Sequence, residues 1–202
     1  MLVTESISWV LVLVQLPKEP SRHRVAVWRE LRKGGAVPVS PGTWALPGGA
    51  AFQPTLDRAA ELTATGGGTF AVIDASPRDE ASTALIRDAF VAARADEWAE
   101  FEADCGKFEA ELAREHSKQK YTFGELEEEE QSLDRLRRWY RELKKRDVLQ
   151  LPAAVSAETR LQACAALLDG YAEQVYAVMH ASAPAIDSPP SPTPTPTPAS
   201  AD

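Results

Sequence analysis

The chain has 202 residues, with 22 lysines and arginines against 30 aspartates and glutamates, and a net charge of −8. An apolar fraction of 44% and a charged fraction of 26% are those of an ordinary folded protein, which excludes wholesale disorder before the final proline-rich stretch. The acidic excess lies wholly after residue 80 and argues against indiscriminate nucleic-acid binding, because phosphate contacts need clustered lysine and arginine, but it leaves room for a local basic face.

The run Ile7 to Leu16 is β-branched and aromatic and closes at Pro17, as a buried strand does. It is too short to cross a bilayer, which takes about 20 residues. It also lacks the basic flank and cleavage site of a leader, so the protein is expected in the cytoplasm. Arg22 to Lys33 then reads as a short amphipathic helix with Val25, Trp28 and Leu31 inward, ended by Gly34-Gly35. Ala36 to Ser40 and Thr43 to Leu46 are strands joined at Pro41-Gly42, a tight hairpin turn. Residues 53 to 64 form a helix with Leu56, Ala60 and Leu62 inward, and Gly66-Gly67-Gly68 leads into a strand from Thr69 to Asp74. The order β-α-β-β-α-β is that of a ferredoxin-like domain, here residues 1–79. A helix followed by a hairpin also fits a winged helix, which leaves that alternative open.

From Glu80 the apolar period lengthens to about 3.5 residues, the spacing of helices packed lengthwise. Trp98, Phe101, Cys105, Phe108 and Leu112 step by three and four, as do Leu133, Leu136, Tyr140 and Leu143, and again Leu161, Cys164, Leu168, Tyr171, Val175 and Val178. About three long antiparallel helices are expected over residues 80–183, broken near Tyr121 to Gly124 and near Leu151-Pro152. Cys105 and Cys164 fall on these apolar positions and read as reduced core thiols. Residues 184–202 are rich in proline and threonine and read as a disordered tail.

Few features carry chemistry. Arg22, Arg24, Arg29, Arg32 and Lys33 make the first helix basic, with Arg22, Arg29 and Lys33 on one face, and such a face suits DNA phosphate. Glu125 and Glu127 to Glu130 complement the positive end of the second long helix, and the basic run Arg135 to Arg146 complements the other end. The acidic run has no Glu-x-x-His pair of a di-metal bundle, and His23, His116 and His180 sit in three different elements, so no metal ligand is assigned. No nucleophile elbow or phosphate-binding glycine loop occurs, and Asp74 reads as a turn former; no catalytic residue or cofactor is assigned, and the protein is read as a non-enzyme.

The residues Ser8-Trp9-Val10-Leu11, Arg24, Trp28, Leu31, Gly35-Ala36 and Trp44-Ala45-Leu46-Pro47, with Phe123-Gly124-Glu125-Leu126-Glu127-Glu128, Leu136-Arg137-Arg138-Trp139 and Arg146-Asp147, resemble the N-terminal domain of the chromate-resistance regulator family ChrB. The resemblance implies a transcriptional regulator that binds promoter DNA, represses a chromate-efflux operon and responds to chromate. The first 79 residues are also similar to the central domain of phenylacetate-pathway repressors. Members of the family commonly carry a second, C-terminal chromate-resistance domain, and here the proline-rich tail stands in that place. If chromate is bound, the cluster Arg137, Arg138 and Arg141, or Arg22 and Arg24, supplies the guanidinium groups a divalent oxyanion wants. A homodimer is expected, and no membrane partner. The alternative is a helical interaction module that dimerises or docks through the Trp98–Leu112 seam without DNA; a third class, a chromate reductase, would need a flavin or metal.

Overall fold

The computed structural model describes residues 8–181, and the expected tail lies outside them. The chain folds as β1 (Trp9–Gln15), α1 (Ser21–Lys33), β2 (Val37–Ser40), β3 (Thr43–Pro47), a single 3-10 turn (Ala50–Phe52), α2 (Gln53–Thr65), β4 (Thr69–Ala75), α3 (Glu80–Ser117), α4 (Phe123–Arg146) and α5 (Pro152–Ala181). The four strands form one sheet in the order β2-β3-β1-β4, with every neighbouring pair antiparallel. Because β3 lies between β2 and β1, the β2–β3 hairpin is part of the sheet and not a free wing.

Alternation along β1 decides what covers each face of the sheet. Val10 and Val12 pack with Val27 and Leu31 of α1 and with Leu56 and Ala59 of α2. Trp9, on the other face, packs with Val37, Ala45, Ile86 and Phe90, and its ring meets Phe90 edge-on at 5.7 Å. The start of α3 therefore covers part of the face that α1 and α2 leave open.

The remaining helices form a three-helix body. Nearly all the side chains that step by three and four meet in one core, with Trp98, Phe101, Cys105, Phe108 and Leu112 of α3 against Leu133, Leu136 and Leu143 of α4 and Cys164, Leu168 and Tyr171 of α5, while Val178, expected on the same seam, is exposed near the end of α5. The Phe101 ring stands 5.5 Å from Trp139. The Trp98–Leu112 seam is thus buried within the chain and is not a surface for a partner, which removes the docking surface that the interaction-module alternative requires. Cys105 and Cys164 are free thiols in this core. The hydrogen bond with Cys105, and then burial, holds the Cys164 thiol well above the ordinary thiol range, so it stays protonated.

Side-chain caps set the helix starts. Asp79 accepts from the Ser82 N–H at 2.8 Å ahead of α3, and Thr122 from the Glu125 N–H at 3.3 Å ahead of α4. Asp147 closes α4 and holds the turn into α5: it is buried, its carboxylate accepts from the Trp98 indole at 3.1 Å and its two oxygens from the Leu151 N–H at 3.2 and 3.0 Å.

Candidate nucleic-acid interface

Helix α1 lies on the sheet with Val27 and Leu31 buried, four residues apart and so on one stripe. Val25 and Trp28, expected inward, point to solvent, and Trp28 is 51% exposed. The reason is that two apolar stripes exist on this short helix, and the sheet takes the one that the entry from β1 and the Gly34-Gly35 exit bring down onto Val12 and Leu46. Gly35 makes that exit with φ +91, a left-handed conformation, while the Ala36 N–H returns to the Leu31 carbonyl at 2.9 Å. Gly34 has no room for a side chain because Thr55 of α2 packs directly against it.

With α1 seated this way, Arg22, Arg24, Arg29, Arg32 and Lys33 are all exposed, against the single carboxylate Glu30 on the same helix. Arg22, Arg29 and Lys33 lie on the outward face, and Arg24, Trp28 and Arg32 form a ridge along one flank, with the Arg32 guanidinium 5.5 Å over the Trp28 ring. Among the described residues, no salt bridge engages any of the five cations. The body differs: Lys107 pairs with Asp104, Lys120 with Glu125 and Glu115, Arg137 with Asp134, Lys145 with Glu142, and Arg160 with Glu109. Not every cation of the body is matched, because the exposed Arg135, Arg138, Arg141 and Lys144 of α4 enter no salt bridge among the described residues either, so un-neutralised positive charge lies on both α1 and α4.

The C-terminal end of α1 is tied to the body through arginine. Arg94, 2% exposed, donates from Nη1 to the Gly35 carbonyl at 2.8 Å and from Nε and Nη2 to both oxygens of Glu97 at 3.0 and 2.9 Å. Arg146 donates to the Lys33 carbonyl at 2.6 Å and stands 3.4 Å from Glu97. These guanidinium groups satisfy carbonyls that a helix end leaves open and complement its negative dipole end. A cleft of about 470 Å³ opens beside them, lined by Lys33, Lys145, Arg146, Glu30 and Glu142. The basic ends of α1 and α4 thus meet in space, although Lys33 and Arg146 are 113 residues apart.

The second group of arginines does not form one cluster. Arg138 and Arg141 line an open groove of about 440 Å³ with Arg135, Asp134 and Gln131. Arg137 turns instead to Asp134, at 3.2 Å. The acidic run divides likewise: Glu127, Glu128 and Glu130 are exposed, while Glu129 is buried. Among the described residues no three histidine, cysteine or acidic side chains are grouped to hold a metal ion.

Burial, and then the charges of Glu111, Glu115, Glu125 and Glu128, push the Glu129 carboxyl above its ordinary value of 4.5. A raised acid binds its proton more tightly when folded, so it lowers stability once pH rises above 4.5 and costs nothing well below it. Glu129→Gln is therefore expected to raise the melting temperature at pH 7, with the gain vanishing as pH falls below 4. A gain that is independent of pH would contradict this. A second pair of variants checks the seating of α1. Leu31→Ala is expected to cost about 2 to 5 kcal/mol of stability and Trp28→Ala under about 1 kcal/mol, by thermal unfolding.

The fold and this surface define a class, an α+β protein whose four-stranded antiparallel sheet presents an unpaired basic helix and rests on a three-helix body. The family model described as "Protein ChrB, N-terminal" matches residues 24–182, and the chain belongs to that family. The match begins within α1, so β1 and Arg22 precede it. No match was found among curated proteins or among solved structures. No helix among the described residues is long and apolar enough to cross a membrane.

Proposed function

We propose that this protein is a chromate-resistance-type transcriptional regulator, non-enzymatic and cytoplasmic, that grips promoter DNA through α1. Arg22, Arg29 and Lys33 would meet backbone phosphate, and Arg24 and Arg32, beside Trp28, would reach toward the groove. The observation that carries this reading is the density of positive charge on α1: five exposed cations within 13 residues, none in a salt bridge among the described residues, against one carboxylate on the same helix. Membership of the ChrB family supports the chromate link.

The sheet order β2-β3-β1-β4, with the β-α-β-β-α-β sequence of elements, supports a ferredoxin-like reading of residues 1–79, with 80–183 as the helical body. For chromate, a divalent oxyanion, the groove holding Arg138 and Arg141 offers two guanidinium groups, joined by Arg135 in place of Arg137. The test is a titration of the protein with the DNA upstream of its gene, in the presence of chromate or of sulfate, a dianion of the same shape. Binding that chromate weakens and sulfate does not is the expected result; failure to bind the DNA at all would overturn the reading.

A further inference from the structure

The two edges of the sheet are built differently. Edge β2 has four residues, carries Pro38, which has no N–H to donate, and breaks register between Pro38 and Ser40. Proline, shortness and irregular register are the devices that keep an edge strand from pairing with another chain. Edge β4 has none of them. Its seven residues pair with β1 in unbroken register from Thr69 to Ala75, and among the described residues its outer side meets no other strand. Val72 and Ile73, on opposite faces, are 46% and 47% exposed.

We propose that β4 is the dimer interface, pairing antiparallel with β4 of a second copy about a twofold axis through Val72. The register follows from the sequence of the strand. Centring on Val72 sets Ala71 opposite the partner's Ile73, Phe70 opposite the partner's Asp74 and Thr69 opposite the partner's Ala75. The only charged residue, Asp74, then faces a ring and lies far from its own copy. On one face the row Val12, Val72, the partner's Val72 and the partner's Val12 is apolar; on the other, Leu13, Ala71, the partner's Ile73 and the partner's Leu11 make a second apolar row. A heterologous contact of β4 with β2 of another copy would build an open filament, and Pro38 and the register break at β2 disfavour it. The self-pairing closes as a dimer with one continuous eight-stranded sheet.

Sedimentation equilibrium of the full chain without DNA tests the proposal. A species of twice 22.0 kDa is expected, with Val72→Lys weakening dimerisation at least tenfold by placing two like charges on the axis, and Val155→Lys, at an exposed site on α5, leaving it unchanged. Circular dichroism checks that each variant is folded. If Val72→Lys does not fold, hydrogen exchange of the wild type decides: the amides of Phe70, Val72 and Asp74, which point away from β1, must be slower at high protein concentration than at low. A wild type that stays monomeric up to sub-millimolar concentration, whether because a terminal segment of its own chain covers β4 or because nothing does, overturns the proposal. So does a folded Val72→Lys variant that dimerises as the wild type does, or β4 exchange that is independent of concentration.

Discussion

Replacing Arg94 with alanine is expected to lower stability by about 3 to 5 kcal/mol, the largest loss foreseen for a single polar side chain here. The guanidinium is buried and divides its donors between the Gly35 carbonyl and both Glu97 oxygens. Its removal leaves Glu97 with Arg146 alone, at 3.4 Å, and strips a carbonyl at the α1 exit of its partner. Both deficits fall in a shielded place, where an unmatched charge or carbonyl costs more than the net worth of the bond. For a chain of this size the loss corresponds to a drop in melting temperature of roughly 10 °C. Arg94→Lys should recover only part of it, because one ammonium cannot span the three acceptors. A loss under about 1 kcal/mol for Arg94→Ala, by denaturant unfolding, would mean that the joint between α1 and α3 is not held as described.

The double charge reversal Arg29→Glu with Lys33→Glu is expected to weaken binding to promoter DNA about a hundredfold at low salt and to reduce the slope of log affinity against log salt by about 2. Both side chains are exposed and without a salt bridge among the described residues, so the fold should be untouched. The control carries the same change in net charge on the body, Lys107→Glu with Arg114→Glu, at cations paired with Asp104 and Glu111. If the two double variants lose affinity equally, only net charge matters and α1 has no special part. An unchanged affinity for the α1 variant would remove that helix from the interface.

The element order was legible because breakers stand at nearly every junction: Pro17, Gly34-Gly35, Pro41-Gly42, Gly66-Gly67-Gly68 and Pro152. The core of the body was legible because long helices repeat their apolar spacing often enough to fix a face. On α1 the spacing is ambiguous. Val25, Val27, Trp28 and Leu31 allow two apolar stripes on 13 residues, and the choice belongs to the sheet beneath. Burial of Glu129 had a signal that composition masked: Leu126, Glu129, Leu133 and Leu136 step by three, four and three, so the seam of α4 runs through one glutamate. Arg94 has the same signature, four residues before Trp98 and four after Phe90. A charged residue on a seam position calls for a partner, and sequence alone does not say that the partner is the Gly35 carbonyl, 59 residues away. The meeting of Lys33 with Arg146 is likewise a product of tertiary structure.

If α1 serves sequence-selective DNA binding, it does so on a chain that is acidic overall, and selectivity then has to come from the helix and not from net charge. The most direct measurement is a competition at physiological salt between the protein's own upstream duplex and a scrambled duplex of equal length. A preference of about a thousandfold or more for the upstream duplex is the predicted result. Equal affinity for the two, or no binding to either, would contradict the account.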